Sequence, residues 1–439
     1  MNNRRLLTGL FCIVLSSVVP CIYANTEKMI TIEELFAIAE SNSAQLRPAF
    51  TAEKVEEEGI RVAKSQLLPD IEANLSLSFI GDGFTTKRNF SDYQKAKIPH
   101  FGNAMGINVN QPLYTGGALT AGIEMAEIKS TASRYATDLK RDNIRFALTG
   151  FYLDIYKYFN LRSVVEKNLD QAKAMLNEMT ARFEQGVALR NDITRYELLI
   201  SNLELQLIKI DNTIDIFNNN LITTAGLPSD IKIIPDTTIL NRSLPQSDEN
   251  SWQMEASLHS PSLKLAQTGV EISRKAEKLV KSEKLPKVGL QAAWTFDGPI
   301  LVEVPPIDRN LSYWYVGVGV SYNLASLYKS NKSLAKSRLA IREAEENLEA
   351  ARQQTSMEIR ADYVKYLEAY EELKTQRKSV ELAERNYSIT STRYSADMAL
   401  ITDLLDAVNA KLDAEQQLVN ARINIIYFYY KLLFTSGKI

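Results

Sequence analysis

The stretch "NQPLYTGGALTAG" at residues 110–122 decides the fold, because a strand-like segment turns within it into a long helix. The preceding "GINVN" alternates apolar and polar residues, which is typical of a strand. Gln111, Pro112, Gly116 and Gly117 form the predicted strand-to-helix junction. Proline cannot donate to a strand ladder, so we expect it to end the pairing. The two glycines let the backbone change direction.

The junction recurs, as "GVSYNLASLYKSNK" at 319–332, because the chain repeats itself. Residues 63–71 match 280–288 at an offset of 217, whereas later residues match at an offset of 211. The offset falls by six, so the first copy carries six extra residues between about 80 and 105. Such self-similarity is typical of a tandem structural repeat. The matches at the second offset are Gly106 with Gly317, Tyr152 with Tyr363, Arg182 with Arg393, Asp192 with Asp403, and Gly226 with Gly437.

Each copy begins with a predicted helix that ends at a proline and leads into two alternating strands. The helices are expected at 32–66 and 252–283, and the strand hairpins at 70–113 and 287–324. The first strand of each hairpin is "DIEANLSLSF" or "KVGLQAAWTF". The period of two predicts one apolar face and one small or polar face.

Long helices follow at 118–224 and 326–434, each interrupted once by a short break. The stretch 118–183 contains no proline, and at ~1.5 Å per residue it would extend roughly 100 Å. After each break, apolar residues recur every third or fourth position, interrupted only by Lys411 in the second copy. This heptad pattern predicts helices packed side by side. A plain coiled coil would explain the helices but not the four strands.

The charge balance gives no indication of a nucleic-acid partner, and the N-terminal segment indicates an exported protein. The chain has 439 residues, 51 basic and 53 acidic, and a net charge of −2. Its start has two arginines and a short apolar core, which predicts a signal peptide at 1–24. Cys12 and Cys21 both lie in it, so a mature chain cleaved after Ala24 would have no thiol chemistry; lipidation of Cys21 is the alternative.

The predicted organisation is a signal peptide, a first repeat at 25–228, a linker at 229–250 and a second repeat at 251–437. No later segment has enough uninterrupted apolar residues for a membrane helix. The strands instead carry aromatic residues near the ends of their apolar faces, such as Phe79 and Trp294. Apolar-out alternation with aromatic ends is typical of a transmembrane β-barrel. Four strands cannot close a barrel, so several chains would have to contribute; a soluble sandwich is the alternative.

With these features the chain resembles the TolC-type outer-membrane efflux family. The resemblance is carried by the signal peptide, "QPLYTGG" at 111–117, the tandem copies and the tail at 394–433. It implies a mixed α/β membrane protein: a homotrimer whose four strands per chain close a twelve-stranded β-barrel, continued by a long periplasmic α-helical coiled-coil barrel. Two positions depart from the family pattern. Asp397 stands where the break often has glycine, and Ala399 where the type member has an arginine that helps to lock the closed end.

No catalytic, cofactor or metal site is predicted. His100 and His259 lack neighbours at metal-ligand spacing, and no phosphate loop or nucleophile elbow occurs. The side chains that stand out are Asp403 and Asp406, which share one helical face just after the second break. Threefold symmetry would make them a pore-tip acidic ring, to which Asp192 of the first copy also belongs.

Two alternatives accompany this acidic ring. The acids could be N-terminal helix chemistry, with Thr402 as the cap. Asp192 could be compensated by Arg195, three residues along. We predict a passive exit duct of a tripartite efflux pump or type I secretion system, embedded in outer-membrane lipid. A periplasmic adaptor (membrane fusion) protein and an inner-membrane transporter would be its partners. The alternative function is a soluble periplasmic coiled-coil adaptor or scaffold.

Overall fold

A computed structural model describes residues 26–236, 244, 247–303 and 305–439 of the protein. The predicted signal peptide, with both cysteines, lies outside these residues. The elements in chain order are β1 (Thr26–Ile30), α1 (Ile32–Asn42), α2 (Arg47–Ser65), β2 (Asp70–Phe79), β3 (Gly83–Thr85), β4 (Gln94–Ala96), β5 (Phe101–Tyr114), α3 (Ala118–Glu184), α4 (Arg190–Ala225), β6 (Ile231–Pro235), α5 (Glu249–His259), α6 (Pro261–Ser282), β7 (Lys287–Gly298), β8 (Leu311–Ser321), α7 (Ser326–Ser395) and α8 (Ile401–Ser436).

Four long strands form one antiparallel sheet in the order β2-β5-β7-β8. The two predicted hairpins are therefore confirmed, and they join through β5 and β7. In the first hairpin Asp70 pairs with Asn110, and in the second Lys287 pairs with Ser321. A sandwich needs a second sheet packed on this one; the other described sheets are two-stranded. The apolar side chains of β2 and β8 lie exposed on the sheet.

Pro112 does not end the pairing as predicted. On the β2 side, β5 stops pairing at Asn110, two residues before the proline. On the β7 side, Pro112 lies opposite Gly289, and the ladder continues through a bulge to Tyr114. A proline lacks only its N–H, so it is tolerated at a bulge. The strand thus continues two residues beyond the proline.

The prediction of one continuous helix at 32–66 and another at 252–283 was wrong, because each segment forms two helices. The first is α1 and α2, with Pro48 in the first turn of α2, and the second is α5 and α6, with Pro261 in the first turn of α6. Proline has no N–H to donate and clashes with the preceding turn, so it is accommodated where a helix starts. Both prolines therefore mark restarts, a signal that was present in the sequence.

The segment 229–250 is more than a linker. Its described part contains β6, which pairs in parallel with β1 from the start of the described chain. Neither strand was predicted. Tyr152 of α3 fixes the pair: its buried hydroxyl donates to the Ile30 carbonyl at 3.0 Å and accepts from the Asp236 amide at 2.7 Å. The largest hydrophobic core surrounds this point, where α1, α3, α4 and α8 meet.

The long helices match their predicted bounds within a residue or two. The distal part of α3 packs against α4 as a first helical hairpin, and α7 packs against α8 as a second. The predicted heptad positions face these contacts, with Leu203 and Leu404 fully buried. Nearer the sheet, helices pack in the order α2-α3-α6-α7. Within the described ranges, none of the helices combines the length and hydropathy that crossing a membrane requires.

Candidate functional site

The strand-to-helix junction is built from Gln111 and the glycine pair. The Gln111 side-chain amide donates to the Leu67 carbonyl at 2.8 Å, which ties the end of β5 to the turn between α2 and β2. Gly116 and Gly117 have φ of +66° and +85°, a left-handed conformation that disfavours other residues. Gly116 also lies against α6: a Cβ there would be 2.7 Å from the Ser282 carbonyl oxygen.

The tip of the molecule consists of two breaks, 185–189 in the first hairpin and 396–400 in the second. Both follow the same backbone course. Gly186 has φ of +78°, and its equivalent Asp397 has φ of +58°. The residue after each of these two donates its backbone amide to a carbonyl in the last turn of the preceding helix. Val187 bonds the Arg182 carbonyl, and Met398 bonds the Arg393 carbonyl. This is the glycine-type helix ending. Asp397 therefore holds a strained conformation with a charged side chain.

Arg182 explains why a carboxylate stands at position 397. Its guanidinium, at the end of α3, pairs with the Asp397 carboxylate and donates to the Ser395 carbonyl at 3.3 Å. It also lies 5.7 Å from the ring centroid of Tyr394. Through Arg182, the first helical hairpin thus stabilises the break in the second hairpin. In the sequence, Asp397 was noted only as a departure from the family's glycine. The fact that an acid stands where the first repeat has Gly186 could have indicated a basic partner for it.

Asp403 and Asp406 lie exposed on one face of α8, while the residue that follows each of them, Leu404 and Ala407, is buried. The Asp403 carboxylate accepts from the Leu400 amide at 3.1 Å, so it caps the first turn of α8. Thr402 is not the cap, because the helix begins one residue earlier, at Ile401. Asp403 therefore performs N-terminal helix chemistry, and its exposure leaves the pore-lining hypothesis open. Asp406 has an exposed side chain directly above it on the same face.

Asp192 has a different environment from these two acids. It is half-buried at the start of α4, and its charge acts on Tyr394 of α7. Burial, and then this neighbouring carboxylate, raise the pKa of Tyr394. Asp192 and Arg195 do not form an ion pair in the described part of the chain. Asp192 instead acts electrostatically across the contact between the hairpins, on Tyr394.

Lys411, which interrupts the heptad of α8, is buried between the hairpins. Its ammonium donates to the Gln171 side-chain carbonyl at 2.9 Å and lies 4.9 Å from the ring centroid of Tyr387. Glu415, one turn along, accepts from the Asn168 amide at 2.8 Å. A polar layer thus crosses the otherwise apolar contact of α3 with α8. Polar side chains at such positions fix the register of packed helices.

A profile of the family described as outer membrane efflux protein matches residues 35–227 and 252–426. Outer membrane efflux protein BepC of Brucella suis biovar 1 is 23% identical over 411 residues, covering 91% of this chain and 84% of BepC. Proteases secretion protein PrtF of Dickeya chrysanthemi is 21% identical and covers 97% of this chain and 92% of PrtF. The profile boundaries fall on the two repeats.

Solved structures show the same fold. The outer-membrane channel OprN superposes with a TM-score of 0.77 at 15% identity, covering 93% of this chain and 90% of OprN. The outer membrane protein VceC of Vibrio cholerae superposes with a TM-score of 0.75 at 16% identity, covering 92% of this chain and 96% of VceC. The chain therefore has the fold of these channels along nearly its whole length.

Proposed function

Because this chain belongs to the outer membrane efflux protein family, we propose that three copies of it close one twelve-stranded barrel in the outer membrane. The protein is an outer-membrane exit duct whose helices extend into the periplasm. The alternative of a soluble adaptor is thereby set aside. The trimer rests on one observation: β2 and β8, the outer strands of the sheet, have no partner on their free sides among the described residues. A bilayer cannot accept unpaired backbone groups.

The trimer is tested by the mass of the protein extracted from membranes in mild detergent. We expect native mass spectrometry to show a complex of three chains as the main species. On a gel, the same sample should migrate differently before and after heating. A monomer or a dimer as the main species would overturn the proposed barrel.

At the tip, Asp403 and Asp406 of three chains would form two stacked acidic rings that favour cations. Carboxylates brought together in a confined opening set a negative potential that is weakly screened. The substitutions Asp403→Asn and Asp406→Asn remove the charges but keep an acceptor for the Leu400 amide, so the cap survives. In planar bilayers the double variant should lose cation preference while still assembling. Asp192→Asn, as the control, should change selectivity less, because Asp192 is half-buried beside Tyr394.

The tip is also where a periplasmic adaptor would dock, linking the duct to an inner-membrane transporter. Large apolar side chains stand exposed in both breaks: Val187, Leu189, Met398 and Leu400 are each 60% to 69% exposed. Exposed apolar groups clustered at one place mark interaction sites. The route would be a tripartite efflux pump or type I secretion system, in line with the names of the relatives.

Docking is tested with the substitutions Leu189→Ser and Leu400→Ser. We expect the variant trimer to assemble and conduct as before but to recover less adaptor when the two are purified together. Leu205→Ser, at another exposed leucine on α4, serves as the matched control. Equal recovery from all three proteins would exclude the breaks as the docking surface.

A further inference from the structure

A crevice lies where the strands of the second repeat meet its helices. The end of α6 and the start of β7 form one side, and the end of β8 and the start of α7 form the other; the volume is about 470 Å³. This size is within the range of small-molecule sites. We call it the second-repeat crevice, and the lining side chains that determine its chemistry are Glu283, Lys287, Tyr322, Ser326, Lys329 and Ser330.

The two lysines of the second-repeat crevice have no counter-ion. Lys287 begins β7, opposite Ser321 of β8, and Lys329 lies in the first turn of α7. Within the described ranges, neither ammonium group forms a salt bridge or a side-chain hydrogen bond. Glu283 is the acid of the lining, so two lysines less one glutamate give the crevice a net charge of +1.

The start of α7 adds positive potential to the lysine pair. This helix is 70 residues long and has neither a side-chain cap nor an acid in its first turn. Its first acid is Glu343, seventeen positions after Ser326, the first residue of the helix, which also lines the crevice. The amides at a helix start carry a partial positive charge that favours anions. The second-repeat crevice therefore attracts an anion.

A buried hydroxyl in the second-repeat crevice indicates the same kind of ligand. Ser330 is 4% exposed and lines the crevice, yet none of the described residues is hydrogen-bonded to its side chain. Ser326, one turn earlier, is also buried, but its hydroxyl donates to the Asn323 carbonyl at 2.6 Å. Buried polar groups are normally paired. The hydroxyl of Ser330 is thus available to donate to a ligand that accepts hydrogen bonds.

The first repeat lacks this chemistry at the equivalent place. The two lysines and the free serine are replaced by an acid, an alanine and a leucine: Asp70 for Lys287, Ala118 for Lys329 and Leu119 for Ser330. Gln111, the equivalent of Tyr322, bonds the Leu67 carbonyl at 2.8 Å and ties the strand to the turn beside it. Both repeats make the same strand-to-helix transition, so the transition itself does not require the lysines or the serine.

We propose that the second-repeat crevice binds a phosphate group. Lys287 and Lys329 pair with its charge, and the Ser330 hydroxyl donates to one of its oxygens. These donors come from both sides of the crevice, which suits the tetrahedral oxygens of a phosphate better than the two coplanar oxygens of a carboxylate. Because Glu283 limits the net charge to +1, a phosphodiester with one negative charge fits best.

A phosphodiester can reach the second-repeat crevice from two sources. Strand alternation places Lys287 on the polar face of the sheet and Tyr322 on the apolar face, and both residues line the crevice. A phospholipid headgroup would approach from the apolar face, at the level where the strands end, and a solute would approach from the polar face. The lipid source rests on the proposed barrel, whereas the crevice itself lies within one chain.

The proposal is tested by phosphorus NMR on the full protein extracted in detergent, at constant ionic strength. The two probes are dihexanoylphosphatidylglycerol and, as a phosphodiester without a lipid, dimethyl phosphate. We expect binding to broaden the phosphorus signal. The double variant Lys287→Gln with Lys329→Gln should bind about tenfold more weakly, because each removes a hydrogen bond to a charged group. Glu283→Gln should bind more tightly, since it removes the repelling charge.

Lys374→Gln, at an exposed lysine farther along α7, serves as the control and should leave binding unchanged. Broadening of both probes would assign recognition to the phosphate group itself, and broadening of the lipid probe alone would assign it to a membrane headgroup. The proposal is overturned if neither signal broadens, or if the double lysine variant binds as well as the unaltered protein. The native mass that tests the trimer is independent of either result.

Serine variants cover the case in which the lysine variants assemble poorly. Ser330→Ala removes the free donor with little change in volume, so it should weaken binding severalfold without changing thermal unfolding. Ser330→Leu introduces the residue that the first repeat has at Leu119 and should prevent binding by filling the crevice. Binding that both variants leave unchanged would contradict the site.

Discussion

Single residues at the tip make contacts that the sequence alone did not predict. Asp397 holds a left-handed conformation that costs an ordinary residue ~1–2 kcal/mol, and aspartate is among the few that tolerate it. Its carboxylate attaches the second hairpin to Arg182 of the first. Since Asp397 is mostly exposed, we expect the pair to contribute about 0.2–1 kcal/mol per chain.

We predict that Asp397→Asn and Arg182→Gln each loosen the tip and raise the open-state conductance in planar bilayers. The double variant should resemble either single one, because both changes remove the same contact. Asp397→Asn keeps a side chain that tolerates positive φ, so the effect reports on charge. Additive increases in conductance would mean that the two residues act separately.

Asp142 of α3 predicts a dependence of stability on pH. Burial raises its pKa from 3.8 to about 6, although the neighbouring Arg145 opposes this. The folded chain therefore keeps a proton that the unfolded chain releases, and stability is lost as pH rises from about 4 through 6. Asp142→Asn should raise the stability at pH 7 by ~2–3 kcal/mol and change little at pH 3.5. Thermal unfolding of both proteins at the two pH values checks this; equal gains at both would assign the effect to packing.

At the scale of elements, the junction glycines are not equivalent. Gly116→Ala would bring a Cβ to 2.7 Å from the Ser282 carbonyl oxygen and 2.8 Å from Leu285, in addition to the strain of positive φ. Gly117→Ala meets nothing within 4 Å and bears only the strain, about 1–2 kcal/mol. We expect Gly116→Ala to reduce the assembled protein in membranes far more than Gly117→Ala. Similar amounts of the two assembled variants in membranes would show that α6 shifts to make room for the new methyl group.

Periodicity was enough to predict the four long strands and the long helices, because those elements follow patterns within a single segment, and the repeat followed from matches at constant offsets. The missing parts depend on distant partners. Strand β1 exists because β6 pairs with it. The new helix that starts at Arg47 was indicated by Pro48 in its first turn, but the apolar periodicity on both sides of that proline favoured one continuous helix. At the tip, the sequence indicated Asp403 but not its bond to Leu400 or the pairing of Arg182 with Asp397, which joins residues more than 200 positions apart.

For the whole molecule, the loops of the sheet and the tip of the helices lie at opposite ends of the chain's long helices. Lys87 belongs to the small β3–β4 hairpin and is 68% exposed, beside Asp92. An epitope tag inserted there should be detected by antibody on intact cells. A tag inserted after Val187, in the first break, should be detected only once the outer membrane is opened. The reverse pattern would invert the orientation of the channel.

Ion pairs join the two repeats within the chain, where Glu124 of α3 pairs with both Lys275 and Lys278 of α6. In the first repeat the positions equivalent to Lys275 and Lys278 are Glu58 and Arg61, which pair with each other at 2.7 Å. Because α2 carries a neutral pair where α6 carries two cations, the duplicated helices are no longer interchangeable in charge, although their backbones keep the same course.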